Sequence, residues 1–204
     1  MRPYYVIAGL GRCGTDLIFD ATRTAVHNAY GNAHGGFKRC ISIKGDQPSS
    51  QLCSHRPGYV YKTHDYPQGV ESHINGKFIF MFGDPIDLVL SAQHKTNTEE
   101  HYLNLRVDPR RANTKDYLTE DTMRLEDMFN DWCKLRTPNV LRVRYETMWE
   151  NLDKINDFLG IEIELPPKRA RTTSRVDYPV EDIIKMEKTY HNLIILINES
   201  PDIF

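Results

Sequence analysis

The sequence predicts an α/β fold, with three layers (α/β/α) around a central, mostly parallel sheet. Short apolar runs alternate with helix-like patterns along the chain, which is typical of this class. No internal repeat or low-complexity segment interrupts the alternation. The length of 204 residues suits one hydrophobic core. We therefore expect residues 1–204 to form a single domain.

Four short runs are rich in β-branched and aromatic residues, so we expect them to be buried parallel strands. They are Tyr4–Ala8, Tyr59–Lys62, Lys77–Phe82 and Val140–Tyr145. Periods of three to four residues predict five helices. These are Thr15–Asn28, Pro85–Lys95, Glu120–Arg136, Glu146–Leu159 and Val180–Ile197. Gly31–Pro57 and Leu105–Thr119 have weak periodicity and are expected to be substrate-facing loops.

Composition excludes several classes of function. With 26 basic and 28 acidic residues, the formal charge of −2 gives no global attraction to nucleic acid or an anionic membrane. The four cysteines form no C-x-x-C pair, so neither a zinc site nor a disulfide framework is indicated. The first apolar run is too short for a signal peptide, and no run reaches the ~20 apolar residues of a membrane span. We expect a cytoplasmic protein with reduced thiols.

Gly9, Gly11 and Gly14 follow the first strand in G-x-G-x-x-G spacing. Glycines let the backbone approach an anion closely, and the start of the next helix offers N–H groups to it. A dinucleotide site would need an acidic residue ~20 positions further on, but no acid lies between Asp20 and Asp46. The Walker A lysine is also missing. The loop therefore favours a phosphate site, and the spacing alone also fits a tight turn.

Four segments carry polar residues at the ends of predicted strands. They are "GRCGTD", "YVYKTHDYP", "FIFMFGDPIDLVLSAQ" and "VLRVRYETMWENLDKINDFLG". In order and content they resemble the sulfotransferases that use 3'-phosphoadenosine 5'-phosphosulfate (PAPS), over roughly residues 4 to 160. The resemblance implies a P-loop-NTPase-like sulfotransferase fold. It also implies transfer of a sulfuryl group to a hydroxyl of a small molecule or carbohydrate, leaving adenosine 3',5'-bisphosphate (PAP).

The resemblance also implies roles for individual residues. The residues of the loop that would bind the 5'-phosphosulfate are Gly11, Arg12, Cys13, Gly14, Thr15 and Asp16. Cys13 stands where the family has a serine, and Asp16 where it has a threonine or serine. His64 matches the general base of the family's K-T-H motif, and Lys62 matches the lysine that contacts the sulfate. An imidazole suits proton removal near neutral pH, a lysine suits the charge on the departing oxygen, and no metal is required.

The segment from Gly83 to Ser91 resembles the family's 3'-phosphate motif, R-x-P-x-D-x-x-x-S, but Gly83 stands in place of the arginine. A charged hydrogen bond of that kind is worth about 1.5–3 kcal/mol. The cluster "KRARTTSR" is a candidate substitute. It contains Lys168, Arg169, Arg171 and Arg175. We expect the adenosine bisphosphate to be held by Ser91, Tyr145, Arg169 and Arg171.

Other interpretations of the same residues stay open. His64 could be a hydrogen-bonded structural histidine, Tyr145 a core tyrosine, and the basic cluster a solvated loop. Two other functions use the same fold features. One is a nucleotide-binding or kinase-like protein that holds ATP at the glycine loop. The other is a non-catalytic sulfotransferase-fold binding module that lost donor affinity through Gly83.

Overall fold

The computed structural model describes residues 2–31, 57–94, 116–170 and 173–204. Within them four strands form one parallel sheet in the order β2-β1-β3-β4. The strands are β1 (Tyr4–Gly9), β2 (Val60–Thr63), β3 (Gly76–Phe82) and β4 (Val140–Arg144). The predicted parallel sheet is thus confirmed. Arg171 and most of the two predicted substrate-facing loops lie outside the described residues.

Six α-helices accompany this sheet in the described ranges. They are α1 (Thr15–Tyr30), α2 (Pro85–His94), α3 (Leu125–Lys134), α4 (Leu152–Leu159), α5 (Val180–Thr189) and α6 (His191–Glu199). In the part of the chain that is described, none of the helices has both the length and the apolar character that crossing a bilayer would require. At the end of α4, Gly160 has a φ of 69° and its N–H bonds to Asn156 O, which is the usual arrangement of a glycine that ends a helix.

One face of the sheet is covered by α1 and α4. Tyr5 of β1 and Lys77 of β3 are register partners, so their side chains share a face. The hydroxyl of Tyr5 lies 3.4 Å from that of Tyr30, the last residue of α1. The ammonium group of Lys77 donates to the carbonyls of Phe158 and Leu159 at the end of α4, at 2.7 and 3.0 Å.

The opposite face is covered by α3. Side chains alternate along a strand, so Phe80 and Phe82 point away from the face that carries Lys77. The ring of Phe80 stacks on Trp132, with centroids 5.0 Å apart, and Phe82 meets Phe129 edge to face at 5.3 Å. All four side chains are almost fully buried. Helices therefore lie on both faces, which confirms the predicted three-layer architecture.

The strand order creates a crevice at one edge of the sheet. From β1 the chain moves outward to β2, whereas from β3 it moves to β4 on the other side. The segments that leave the carboxyl ends of β1 and β3 therefore diverge. In open parallel sheets, ligands bind at such a switch point. The glycine loop after β1 and the start of α2 after β3 both lie there.

Three predicted helices differ from the structure by more than two residues or by a break. The helix expected from Glu120 begins only at Leu125, because Asp121 accepts the N–H of Glu126 and holds the preceding residues in turns. The helix expected from Glu146 begins at Leu152, after a 3₁₀ turn at Tyr145–Thr147. The last predicted helix is two helices.

The break between α5 and α6 lies at Tyr190. This residue is buried, and its hydroxyl donates to Glu120 O at 3.3 Å. Its φ and ψ of −99° and 15° depart from the helical region. Apolar residues continue with helical spacing across the break, so periodicity alone cannot reveal it. The break between the two helices coincides with the contact between Tyr190 and Glu120, which lies 70 positions earlier in the chain.

The outer edge of β4 is paired with the end of the described chain. Arg142 and Phe204 exchange two backbone hydrogen bonds, and Val143 bridges Ile203 in antiparallel sense. The buried guanidinium of Arg142 donates to Trp132 O and Leu135 O at the end of α3. This arginine therefore ties β4 to α3, and burial lowers its pKa.

Arg142→Met should lower the free energy of unfolding by about 2–4 kcal/mol, because it leaves buried carbonyls without their charged donor. Arg136→Met is the matched control, since Arg136 is exposed and makes a bond to Cys133 O. It should change stability by less than about 0.5 kcal/mol. Urea unfolding measures both. Equal effects of the two substitutions would contradict the role given to Arg142.

Candidate functional site

The loop between β1 and α1 turns the chain within five residues, Leu10–Gly14. Three of them have left-handed backbone conformations: Gly11 (φ 86°), Arg12 (φ 55°) and Gly14 (φ 78°). Such a conformation is costly for a residue with a side chain, so Arg12 is held there by its surroundings. Backbone N–H groups in a turn of this kind, beside the start of a helix, form a surface suited to an anion.

Gly9, at the end of β1, and Gly14, in the loop, allow close contacts that no larger residue would permit. A Cβ at Gly9 would lie 2.5 Å from Thr15 Cγ2 and 2.9 Å from Met81 O. A Cβ at Gly14 would lie 2.5 Å from Cδ2 of Tyr145. The ring of Tyr145 therefore packs on the loop, and the structure brings together two regions that the sequence predicted as one site.

Cys13 is turned into the protein rather than toward the crevice. Its side chain is fully buried, and its thiol donates to Met81 O at 3.2 Å. The side chain thus attaches the loop to β3. Of the groups on this residue, the backbone N–H is the one that could serve a bound anion.

His64 follows β2 and lies against the end of β1. Its Nδ1 is 2.8 Å from Gly9 O. A carbonyl only accepts, so Nδ1 carries the proton and Nε2 carries the lone pair. The pKa of His64 is lowered to about 4, chiefly by burial, which the hydrogen bond to Gly9 partly opposes. At neutral pH the imidazole is uncharged and able to accept a proton at Nε2.

The turn that carries His64 is fixed by its neighbours. Thr63 donates to the buried carboxylate of Asp65 at 2.7 Å and accepts the N–H of Asp65 at 3.0 Å. The indole of Trp132 donates to Asp65 O at 3.0 Å. Thr63 and Asp65 were not predicted as site residues, and only their position on either side of His64 hints at the role.

Lys62 is paired with Asp16 of α1. Its ammonium group donates to Asp16 Oδ1 in a short ion pair. The lysine side chain is 20% exposed and the aspartate 49%. Asp16 was expected to contact the phosphosulfate, but a carboxylate repels an anion. Its backbone N–H, in the first turn of α1, is the group suited to that role.

Arg12 and Ser91 connect the two sides of the crevice. Arg12 Nε donates to Ser91 Oγ at 3.1 Å. Arg12 belongs to the loop after β1, whereas Ser91 lies in α2, which follows β3. Two residues 79 positions apart, both predicted from sequence as donor-binding residues, are therefore in contact.

An acid covers the position where the resemblance implies an arginine. A Cβ at Gly83 would lie 2.8 Å from Glu146 Oε1, and the same atom accepts the N–H of Asp84 at 3.2 Å. Arg175 binds the carboxylates of Asp84 and Asp87, at 2.6 and 2.9 Å. The basic cluster does reach this segment, but through Arg175, whose charge is held by two acids.

The other members of the cluster are placed differently. Lys168 donates to Glu146 O and lies over the ring of Trp149, 5.4 Å from its centroid. Arg169 is exposed, and Arg171 lies outside the described residues. The roles of Arg169 and Arg171 therefore stay predictions. The sequence did not predict the contacts of Arg175 and Glu146. The only hints were that Arg175 belongs to the basic cluster and that Glu146 follows Tyr145, which matches the family's tyrosine.

The site combines fixed positive charge with one neutral imidazole. Arg12, Lys62 and the start of α1 supply the charge, and His64 supplies the proton acceptor. Among the residues that the structure describes, no group of three or more His, Cys, Asp or Glu could hold a metal ion. This arrangement suits binding of an anionic group beside a proton transfer.

The pH dependence of stability tests the environment of His64. Its pKa is about 4 in the folded chain and 6.5 in the unfolded chain, so the unfolded chain binds more protons between these values. The contribution of His64 to stability is complete above pH 6.5 and is lost as the pH falls toward 4. The free energy of unfolding of His64→Gln should fall less steeply than wild type over this window. Identical slopes would contradict the lowered pKa of the imidazole.

Gly14→Ala should lower the free energy of unfolding by about 2–3 kcal/mol, because it combines a left-handed backbone with a contact against Tyr145. Gly31→Ala is the matched control. Gly31 has a φ of 68°, and none of the described residues comes within 4 Å of its Cβ position, so its substitution should cost about 1 kcal/mol. Thermal and urea unfolding measure both. Equal losses would show that the ring of Tyr145 does not pack on the loop.

At the level of sequence, no family model matches the chain, and no curated protein matches it. Solved structures do match. One is retinol dehydratase with androsterone and the inactive cofactor PAP, which matches 80% of this chain with a TM-score of 0.46 at 19% identity. Another is retinol dehydratase with retinol and PAP, which matches 97% of this chain with a TM-score of 0.47 at 17% identity. This chain covers 62% and 65% of those chains, less than two thirds of their length.

A third structure covers more of both chains. It is mouse sulfotransferase SULT7A1 complexed with PAP, with a TM-score of 0.57 at 17% identity. The match covers 98% of this chain and 86% of that chain. The chain therefore has the fold of the PAPS-dependent sulfotransferases.

Proposed function

We propose that this protein is a cytoplasmic sulfotransferase that moves a sulfuryl group from PAPS to a hydroxyl of a small molecule or carbohydrate. One observation carries the proposal. The hydrogen bond from His64 Nδ1 to Gly9 O holds a neutral imidazole, with its lone pair at Nε2, against the loop suited to bind an anion. Lys62 lies two residues away on the same strand end, facing α1.

The donor would be held by three parts of the site. The backbone N–H groups from Gly11 to Thr15 suit the 5'-phosphosulfate, with Arg12 adding charge. Ser91, already bonded to Arg12, suits the phosphate at the other end of the nucleotide. The ring of Tyr145 packs on Gly14 and offers a surface to the adenine. The PAP in the mouse sulfotransferase structure supports adenosine bisphosphate as the ligand class.

The reaction is an in-line transfer. A bond forms between the acceptor oxygen and sulfur as the bond from sulfur to the bridging oxygen of PAP breaks, and the acceptor proton passes to His64 Nε2. Lys62 would stabilise the charge on the bridging oxygen. The anionic donor next to His64 would raise its pKa from the low value of the ligand-free protein, which makes it a stronger base.

A second candidate is a binding module that retains the fold without catalysis. Glu146 at Gly83 favours it, because this carboxylate lies where the resemblance implies a phosphate-binding arginine. An acid there weakens the attraction for a 3'-phosphate. The affinity for the bisphosphate separates the two candidates.

Calorimetric titration with PAP should show micromolar binding, with AMP, ATP and NAD binding at least about tenfold more weakly. Arg12→Ala should weaken binding of PAP by about tenfold or more, since a charged hydrogen-bond donor is lost. Arg23→Ala is the matched control, because Arg23 lies further along α1 and pairs with Asp20. No binding of PAP, or a preference for ATP or NAD, would rule out the sulfotransferase assignment.

His64→Ala should abolish turnover while the affinity for PAP stays within about twofold of wild type, because the imidazole acts on the acceptor proton. Turnover is measured as PAP released from PAPS in the presence of a panel of phenols and sugars. His73→Ala is the control. His73 packs on Tyr4 and Phe78, and burial lowers its pKa too. Equal turnover of wild type and His64→Ala would remove His64 from the role of base.

A further inference from the structure

The ion pair between Lys62 and Asp16 occupies the lysine that the proposed reaction uses. Lys62 Nζ donates to Asp16 Oδ1, and the lysine side chain is largely buried. Asp16 is the second residue of α1, so its carboxylate lies in the first turn of the helix, beside the loop suited to an anion. The carboxylate that pairs with Lys62 thus belongs to the first turn after the loop.

This ion pair stabilises the folded protein but opposes the binding of an anion. A largely buried lysine without a partner is costly, so Asp16 stabilises the protein before an anion arrives. When a phosphosulfate binds, the same carboxylate repels it and competes with its oxygens for Lys62. Asp16 therefore neutralises Lys62 until an anion takes its place.

We propose that Asp16 is a resident competitor for Lys62, which the anionic group of the donor must displace before transfer. Asp16 thereby sets how tightly the site holds its nucleotide. The inference rests on the proposed function, because it needs an anionic ligand at the loop after β1. It assigns Asp16 a role opposite to that of a ligand for the phosphosulfate: its backbone N–H attracts the donor, whereas its side chain opposes the donor.

Asp16→Thr tests the competition, because threonine removes the charge and keeps a polar side chain. The substitution should tighten binding of PAP by about tenfold in calorimetric titrations at low salt. It should also lower the unfolding temperature of the ligand-free protein, since Lys62 loses its partner. Asp20→Thr is the matched control. It removes the same charge one turn later on α1, where Asp20 pairs with Arg23, and should change the affinity by less than about twofold.

A double-mutant cycle with Lys62→Met shows whether the effect passes through the lysine. Lys62→Met should weaken binding of PAP several-fold more in the Asp16→Thr protein than in wild type, because the lysine is then available to the ligand. Equal losses in the two backgrounds would overturn the competition for Lys62. Binding by wild type with no gain in Asp16→Thr would overturn this inference alone. No binding of PAP by either protein would overturn the proposed function as well.

Discussion

The loop that connects β1 to α1 has only five residues, and the rest of the site depends on this short connection. The loop is possible because Gly11 and Gly14 adopt left-handed conformations and Gly9 lets Thr15 pack closely against the end of β1. Gly9 also presents its carbonyl to His64. The same few backbone atoms therefore shape the candidate anion site, fix the tautomer of the imidazole and join β1 to the end of β2.

Charge around the crevice is arranged in compensated pairs. Asp16 holds Lys62, and Asp84 and Asp87 hold Arg175. Partly buried charges need such partners, because desolvation is expensive for a lone ion. Under the proposed function, binding of an anionic nucleotide would be an exchange of partners. Its affinity would then depend on how strongly the resident carboxylates compete, as well as on the number of basic residues.

Much of the fold could be predicted from the chain alone. The four strands and the parallel sheet follow from short runs of β-branched and aromatic residues, and the α/β class follows from their alternation with helices. Helix boundaries near Leu125 and Tyr190 were missed because they depend on contacts of Asp121 and Tyr190 rather than on local periodicity. The family resemblance selected residues that the structure does bring together, such as Arg12 and Ser91.

The sequence by itself determined which residue types stand at the ends of the strands, because glycine spacing and the Lys-Thr-His run are local features. The tertiary structure alone decided their partners. It pairs Lys62 with Asp16, places Glu146 over Gly83 and brings Arg175 to Asp84 and Asp87. The physical reason is that charge pairing and burial act through space between residues from 46 to 91 positions apart, and no local pattern encodes which acid meets which base.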